Sequence, residues 1–137
     1  MKLSEDQDYL DFGTAVARKD NLVAAQHLSK VIERVRTSGD AHQLAFIYRV
    51  AAELQISMGL TALAEKSIES SLSVDPLSAQ SRYYAALFYL EKLKDTQKAM
   101  TLCGDQKFEG VGLSNEDLSI EEHFKQKLRE MLRGACA

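Results

Sequence analysis

The chain of 137 residues contains no tryptophan, one proline and two cysteines. A single proline leaves room for long helices, because proline removes a hydrogen bond from a helix interior. Cys103 and Cys136 are too few and too far apart in sequence for a disulfide framework. No alternating apolar run bounded by turns occurs, so no strand is predicted. These absences favour an all-α fold in one domain over residues 1–137.

The sequence also lacks a basic excess, since its formal net charge is −3 at pH 7. General nucleic-acid binders carry a surplus of Lys and Arg, so we expect no nucleic-acid partner. No apolar run has the length of a membrane-spanning helix, and we expect no membrane insertion. The first ten residues are polar and acidic, unlike those of a secretory signal. This composition predicts a cytoplasmic location.

Motifs for catalysis or metal binding are missing as well. The spacing of His27, His42 and His123 matches no familiar set of metal ligands, and we expect these side chains on solvated helix surfaces. Cys103 follows Leu102 on the apolar side of a predicted helix, which indicates a small core residue. No nucleophile–base order, phosphate-binding loop or dinucleotide fingerprint occurs. We therefore predict no enzyme activity, no cofactor and no metal.

The clearest pattern lies between Tyr48 and Pro76. In its first half, apolar and small residues recur at helical spacing: Val50, Ala51, Leu54 and Met58. Gly59 follows, where a helix often ends in left-handed backbone. In its second half, one helix face carries Leu63, Ala64, Ile68 and Leu72. Asp75-Pro76 ends this second helix. Such a pair cannot bury both apolar faces alone, which predicts neighbours of the same kind.

This stretch resembles a tetratricopeptide repeat. That family has an aromatic in the first helix, a small pair at its middle, a glycine at its end, then a small residue, a large apolar residue and a closing Asp-Pro. The matching residues are Tyr48, Ala51-Ala52, Gly59, Ala64, Ile68 and Asp75-Pro76. Gln55 and Ser71 depart from the pattern, where the family usually has Tyr and Ala. The resemblance implies a right-handed superhelix of antiparallel helix pairs that binds proteins in a groove, without catalysis.

Capping signals divide the rest of the chain. Capping boxes are predicted for Ser4 with Gln7, Asp40 with Gln43 and Ser119 with Glu122, and single caps for Asp20 and Asp95. The predicted helices cover about residues 5–18, 21–36, 41–58, 61–73, 77–92 and 96–103. Together they make three repeats over about 5–37, 41–75 and 77–104, followed by a loop over 105–118 and a capping helix over 119–133.

Inward-facing residues are predicted for each helix. The first two helices should bury Tyr9, Leu10, Phe12, Gly13, Val16, Leu22, Ala25, Leu28, Val31, Ile32 and Val35, and the fifth Tyr84, Ala85, Leu87 and Phe88. Ala25, Ala64 and Ala99 are expected where paired helices approach closely. Ala64 and Ala99 are 35 residues apart, near the family period of about 34. Ala25 and Ala64 are 39 apart, so the first repeat is interpreted as degenerate.

The resemblance implies that the first helix of each pair lines the groove. The groove residues would be Leu10, Thr14, Arg18, Phe46, Arg49, Val50, Glu53, Ser57, Gln80, Tyr83, Tyr84, Leu87 and Glu91. This mixture of aromatic, apolar and charged side chains suits a peptide or a partner helix. The alternative for Phe46, Tyr83 and Tyr84 is packing between repeats.

Some family members clamp a C-terminal carboxylate with basic and amide residues. Arg49 fits one basic position, but Glu53 stands where that clamp has Asn and would repel the carboxylate. We therefore expect no such clamp.

The predicted function is a non-catalytic protein–protein interaction module, adaptor or chaperone-like, that binds a protein or peptide partner. The alternative is a structural module that homo-oligomerises through its C-terminal helix or its exposed repeat ends.

Overall fold

The computed structural model describes residues 1–103 together with Glu122, His123 and Gln126. A short 3-10 helix, Leu3–Glu5, precedes six α-helices: α1 (Gln7–Ala17), α2 (Asn21–Ser38), α3 (Ala41–Ser57), α4 (Thr61–Val74), α5 (Ala79–Glu91) and α6 (Thr96–Cys103). The described residues contain no strand, which confirms the all-α prediction for this part of the chain. None of the described helices combines the length and hydropathy needed to cross a bilayer.

Part of the C-terminal prediction lies outside the described residues. This holds for the loop over 105–118, for Cys136, for the side chain of Cys103 and for most of the capping helix over 119–133. Glu122, His123 and Gln126 are helical. The chain divides into two compact units, Met1–Asp75 and Pro76–Ala137, and the boundary lies between Asp75 and Pro76.

Aspartate caps begin three helices of the first unit. The Asp20 and Asp40 carboxylates accept from the backbone N–H groups of Val23 and Gln43, at 3.3 and 3.0 Å. Both caps were predicted, although the Gln43 side chain donates to the Met1 carbonyl (2.6 Å) instead of closing a capping box. An Asp or Asn cap contributes about 1 kcal/mol to a helix.

The predicted start of α1 is wrong. Ser4 lies within the 3-10 helix, and Asp6 caps α1 by accepting from the Tyr9 N–H at 2.9 Å. Gly59, in contrast, ends the α3 segment with φ +75, as the sequence predicts. Gly39 has φ +76 after α2, where a side chain would strain the backbone.

The core of the first unit draws on α1, α2 and α3 together. Its buried residues are Phe12, Ala15, Ala24, Leu28, Val31, Val35, Ile47, Ala51 and Leu54. On α2 the buried stripe follows residues 24, 28, 31 and 35, a period of three and four that keeps one face inward.

Several predicted core residues are exposed instead. Leu22 is 72% exposed, and Leu10, Gly13, Val16 and Leu63 also face solvent. Ala24 takes the fully buried position that was predicted for Ala25, which is only half-buried. The reason is rotational: the inward face of α2 is centred on Ala24 and Leu28, so Leu22 falls outside it.

Small residues dominate the contact between α3 and α4. Ala51, Ala52 and Ala64 are buried, together with the hydroxyl side chains of Ser67 and Ser71. Ser71 Oγ donates to the Ile68 carbonyl oxygen at 2.7 Å within its own helix. Small side chains allow two helix backbones to approach closely, and the predicted burial of Ala64 is confirmed.

Gln55 adds a polar link between α3 and α4. With its amide nitrogen turned toward α4, Gln55 donates to Ser67 Oγ at 2.6 Å and to the Leu63 carbonyl oxygen at 3.0 Å. These bonds satisfy the amide at a position where a tetratricopeptide repeat usually has an aromatic residue.

In the second unit, α5 packs against α6. Ser78 caps α5 by accepting from the Ser81 N–H at 3.2 Å, so this helix starts after Leu77 rather than at it. Asp95 caps α6 as predicted, accepting from the Lys98 N–H at 3.0 Å. The buried residues of α5 and α6 are Ser81, Tyr83, Ala85, Ala86, Phe88, Tyr89, Leu90 and Ala99. Ala99 is fully buried, as predicted, whereas Tyr84 and Leu87 are half-buried.

Candidate functional site

The groove residues predicted on α1 are all exposed. Leu10, Thr14 and Arg18 follow one another at intervals of four residues, so they lie along one face of the helix. The Thr14 hydroxyl donates to the Leu10 carbonyl oxygen at 3.2 Å within the helix. These residues form a short surface stripe that is free of large aromatic groups.

The groove residues predicted on α3 differ widely in exposure. Phe46, Glu53 and Ser57 are exposed and Val50 is half-buried, but Arg49 is only 5% exposed. The Arg49 guanidinium carbon lies 5.8 Å from the centre of the Phe46 ring, a cation–π contact. This contact and its burial make Arg49 a packed residue rather than an open groove contact.

In the second unit, the predicted groove residues of α5 are mostly covered. Tyr83 is 7% exposed, which favours the packing alternative for this ring. Gln80, Tyr84, Leu87 and Glu91 are half-buried. The structure therefore offers no open row of aromatic rings along the described face of α5.

A cleft lined by α2 and α3 lies in the first unit. It has a volume of about 350 Å³. Its lining residues, which define the α2–α3 cleft, are Ala25, Leu28, Ser29, Ile32, Glu33, Arg36, Tyr48, Ala51, Leu54 and Gln55. Ala25 of α2 and Ala51 of α3 have side chains too short to fill the space between the two helices, which leaves the gap open.

The floor of the α2–α3 cleft is apolar. Leu28, Ala51 and Leu54 are buried there, and Ala25 and Ile32 are half-buried. Residues 25, 28, 29, 32, 33 and 36 of α2 succeed one another by three or four, so they occupy one face of the helix. An apolar floor of this kind gains stability when apolar side chains cover it.

The rim of the cleft is polar and hydrogen-bonded across the two helices. Arg36 Nη2 donates to the Tyr48 hydroxyl at 2.9 Å, and Arg36 Nη1 donates to the Glu33 carboxylate. The hydrogen bond to Tyr48, followed by the charge of Glu33, raises the pKa of Arg36 above its ordinary value. The rim thus fixes the orientation of a permanent positive charge at one end of the cleft.

The α2–α3 cleft presents apolar side chains together with a few polar groups. Its lining contains no histidine, cysteine or aspartate. An apolar floor with a few fixed polar groups is the usual composition of a recognition site.

None of the thirteen predicted groove residues lines this cleft. A sequence signal for it did exist, because α2 carries a second stripe through Ala25, Ser29, Ile32 and Arg36 beside its core stripe. The sequence predicts Ala25 at a close contact between helices, whereas the structure shows it lining an open cleft.

Comparison with known protein families, with characterised proteins and with solved structures gave no match for this chain. Membership of the tetratricopeptide repeat family accordingly stays a prediction.

Proposed function

We propose that this chain is a non-catalytic protein-binding module of the tetratricopeptide type. In this role it acts in the cytoplasm as an adaptor or chaperone-like protein, and an amphipathic helix of its partner docks in the α2–α3 cleft. The observation that carries the proposal is the cleft of about 350 Å³, which has an apolar floor and an oriented polar rim.

The dimensions of the cleft suit a few anchor side chains. Its α2 wall extends from Ala25 to Arg36, and a separation of that many helical residues spans about 16 Å at 1.5 Å per residue. Three turns of a partner helix cover that length and present apolar anchors at positions i, i+3 or i+4, and i+7.

A helical partner suits the site better than an extended one. Extended peptides that add to a sheet gain affinity by pairing their backbone with an open strand edge, and the described residues contain no strand. A helix satisfies its own backbone hydrogen bonds and needs only side-chain contacts. The Glu33–Arg36–Tyr48 group at the rim supplies polar contacts that fix the orientation of the docked helix.

A displayed library of amphipathic helical peptides tests the proposal. Peptides selected on the wild-type chain are measured by fluorescence polarisation against Ala25→Trp, which fills the cleft with an indole. The matched control is Ala62→Trp, which places the same indole at an exposed position of α4. We expect Ala25→Trp to weaken binding at least tenfold and Ala62→Trp to leave it unchanged.

Circular dichroism and thermal unfolding of both variants check that they remain folded. Equal affinities of the two variants for the selected peptides, or a library that yields no binder at all, would contradict the proposal.

A further inference from the structure

Three potential metal ligands meet on the outer side of the α1–α2 pair. Asp8 and Asp11 are three residues apart on α1, so their carboxylates share one helix face. His27 comes from α2, and one ligand atom from each of the three side chains lies within 4.8 Å of the others. His27 Nδ1 is 2.9 Å from Asp8 Oδ1, and both side chains are about three-quarters buried.

Neighbouring side chains hold both carboxylates in place. Arg34 Nη2 lies 2.7 Å from Asp8 Oδ2, the oxygen that does not face His27. Gln7 Nε2 donates to Asp11 Oδ1 at 2.9 Å. Hydrogen bonds of this kind, from residues behind the ligands, orient carboxylates in metalloproteins.

The local charge favours a cation. Arg34 is shared between Asp8 and Asp6, whose Oδ1 lies 2.7 Å from the same guanidinium nitrogen. Asp6, Asp8 and Asp11 thus bring three carboxylates to this edge of the α1–α2 pair, together with the one guanidinium of Arg34.

The other described histidines provide an internal comparison. His42 lies 3.2 Å from Asp75, and His123 lies 3.8 Å from Glu91. Among the described residues, the group around His27 is where a histidine meets two carboxylates closely enough to share one ion. A simple His–carboxylate pair explains His42 and His123, but it leaves the position of Asp11 unexplained.

We propose that Asp8, Asp11 and His27 form a binding site for a divalent transition metal of the zinc class, which joins α1 to α2. Zinc accepts imidazole nitrogen and carboxylate oxygen at about 2.0–2.2 Å, and a tetrahedron of that size separates its ligand atoms by about 3.3 Å. His27 Nδ1 and Asp8 Oδ1 are 2.9 Å apart, and one ligand atom from each of the three residues lies within 4.8 Å of the others. Calcium and magnesium prefer oxygen ligands alone, so the imidazole discriminates against them. Water completes the coordination.

Calorimetric titration of ZnCl2 into the metal-stripped full chain tests the site. We expect one zinc ion per chain and a rise of several degrees in Tm when zinc is present. MgCl2 and CaCl2 at the same concentrations should give neither heat nor a Tm shift. His27→Ala and Asp11→Asn should each lower the zinc affinity at least tenfold. His42→Ala, which removes a histidine bonded to one carboxylate, should not.

Two further measurements keep the test decisive. If His27→Ala is poorly folded, His27→Gln replaces it in the test. The glutamine amide can still hydrogen-bond to Asp8 but is a poor metal ligand, so this variant should also lose zinc binding. Absorption of the Co2+-loaded chain should lack the intense sulfur-to-metal band that cysteine ligation produces. Equal zinc affinity of wild type and the folded His27 and Asp11 variants, or a sulfur-ligated cobalt spectrum, would overturn the proposal.

Discussion

The two helix pairs of the first unit are held together by different side chains. Between α3 and α4, buried alanines and serines bring the backbones close, and one amide, Gln55, spans the contact. Between α1 and α2, Phe12 and Leu28 pack in the core, while along the outer edge Arg34 forms ion pairs with Asp6 and Asp8 and His27 lies 2.9 Å from Asp8.

The two helix pairs also differ in how well their sequences fit the tetratricopeptide repeat pattern. The α3–α4 pair carries the residues that resemble a tetratricopeptide repeat, and its buried small residues Ala52, Ala64, Ser67 and Ser71 are uncharged. The α1–α2 pair departs from the pattern, and ionisable groups occupy its edge. Where small residues no longer dictate the contact, charged side chains can converge, and a site for a ligand becomes feasible there. The α1–α2 pair, which fits the pattern less well, is therefore the more informative place to look for chemistry.

The largest effect is expected from breaking the close contact of α3 and α4. Ala64 is fully buried, and Ala64→Leu should destabilise the chain by about 3 kcal/mol because overpacking forces the helices apart. Urea unfolding followed by circular dichroism measures the change. Ala62→Leu, at an exposed position of the same helix, should stay within about 0.5 kcal/mol of wild type. Similar costs for both variants would mean that the α3–α4 contact is loose.

Removing the ion pairs between α1 and α2 should have a smaller effect. Arg34→Ala abolishes the contacts to Asp6 and Asp8, but Arg34 is partly exposed, so we expect a loss of at most about 1 kcal/mol. The loss should shrink in 1 M NaCl, because salt screens exposed charges.

Lys2→Ala provides the control for Arg34→Ala, since Lys2 and Glu5 form an exposed pair at 4.0 Å. Its cost should be close to zero at any salt concentration. A cost for Arg34→Ala that does not depend on salt would show that packing of the arginine stem, rather than its charge, joins the two helices.

The smallest effect is expected at Ser71, which is buried and donates only within its own helix. Ser71→Ala restores the residue that the tetratricopeptide pattern prefers. The change removes a weak local hydrogen bond and favours the helix, so the free energy of unfolding should change by less than about 0.5 kcal/mol. A loss above 1 kcal/mol in urea unfolding would indicate that the hydroxyl makes a contact across the interface.

The local features of this fold could be predicted from the sequence. The caps at Asp20, Asp40 and Asp95 and the left-handed backbone at Gly59 depend on residues within four positions of one another. Such short-range rules act before any tertiary contact forms.

The features that depend on helix rotation and crossing could not be predicted. Leu22 was expected inside and faces solvent, because one residue of rotation about the α2 axis separates the stripe around Ala25 from the stripe around Ala24. The α2–α3 cleft and the meeting of His27 with Asp8 depend on how neighbouring helices cross. The i, i+3 spacing of Asp8 and Asp11 was visible in the sequence, but nothing local placed an imidazole 19 positions away beside it.

The hydrogen bond between His42 and Asp75, 33 positions apart, brings the start of α3 next to the end of α4. A segment whose first and last residues lie side by side is a natural unit for duplication or removal. A second copy can be inserted at that junction without rerouting the backbone on either side. Gene rearrangement, or a protein engineer, could therefore lengthen this molecule by whole hairpins at the Asp75 junction.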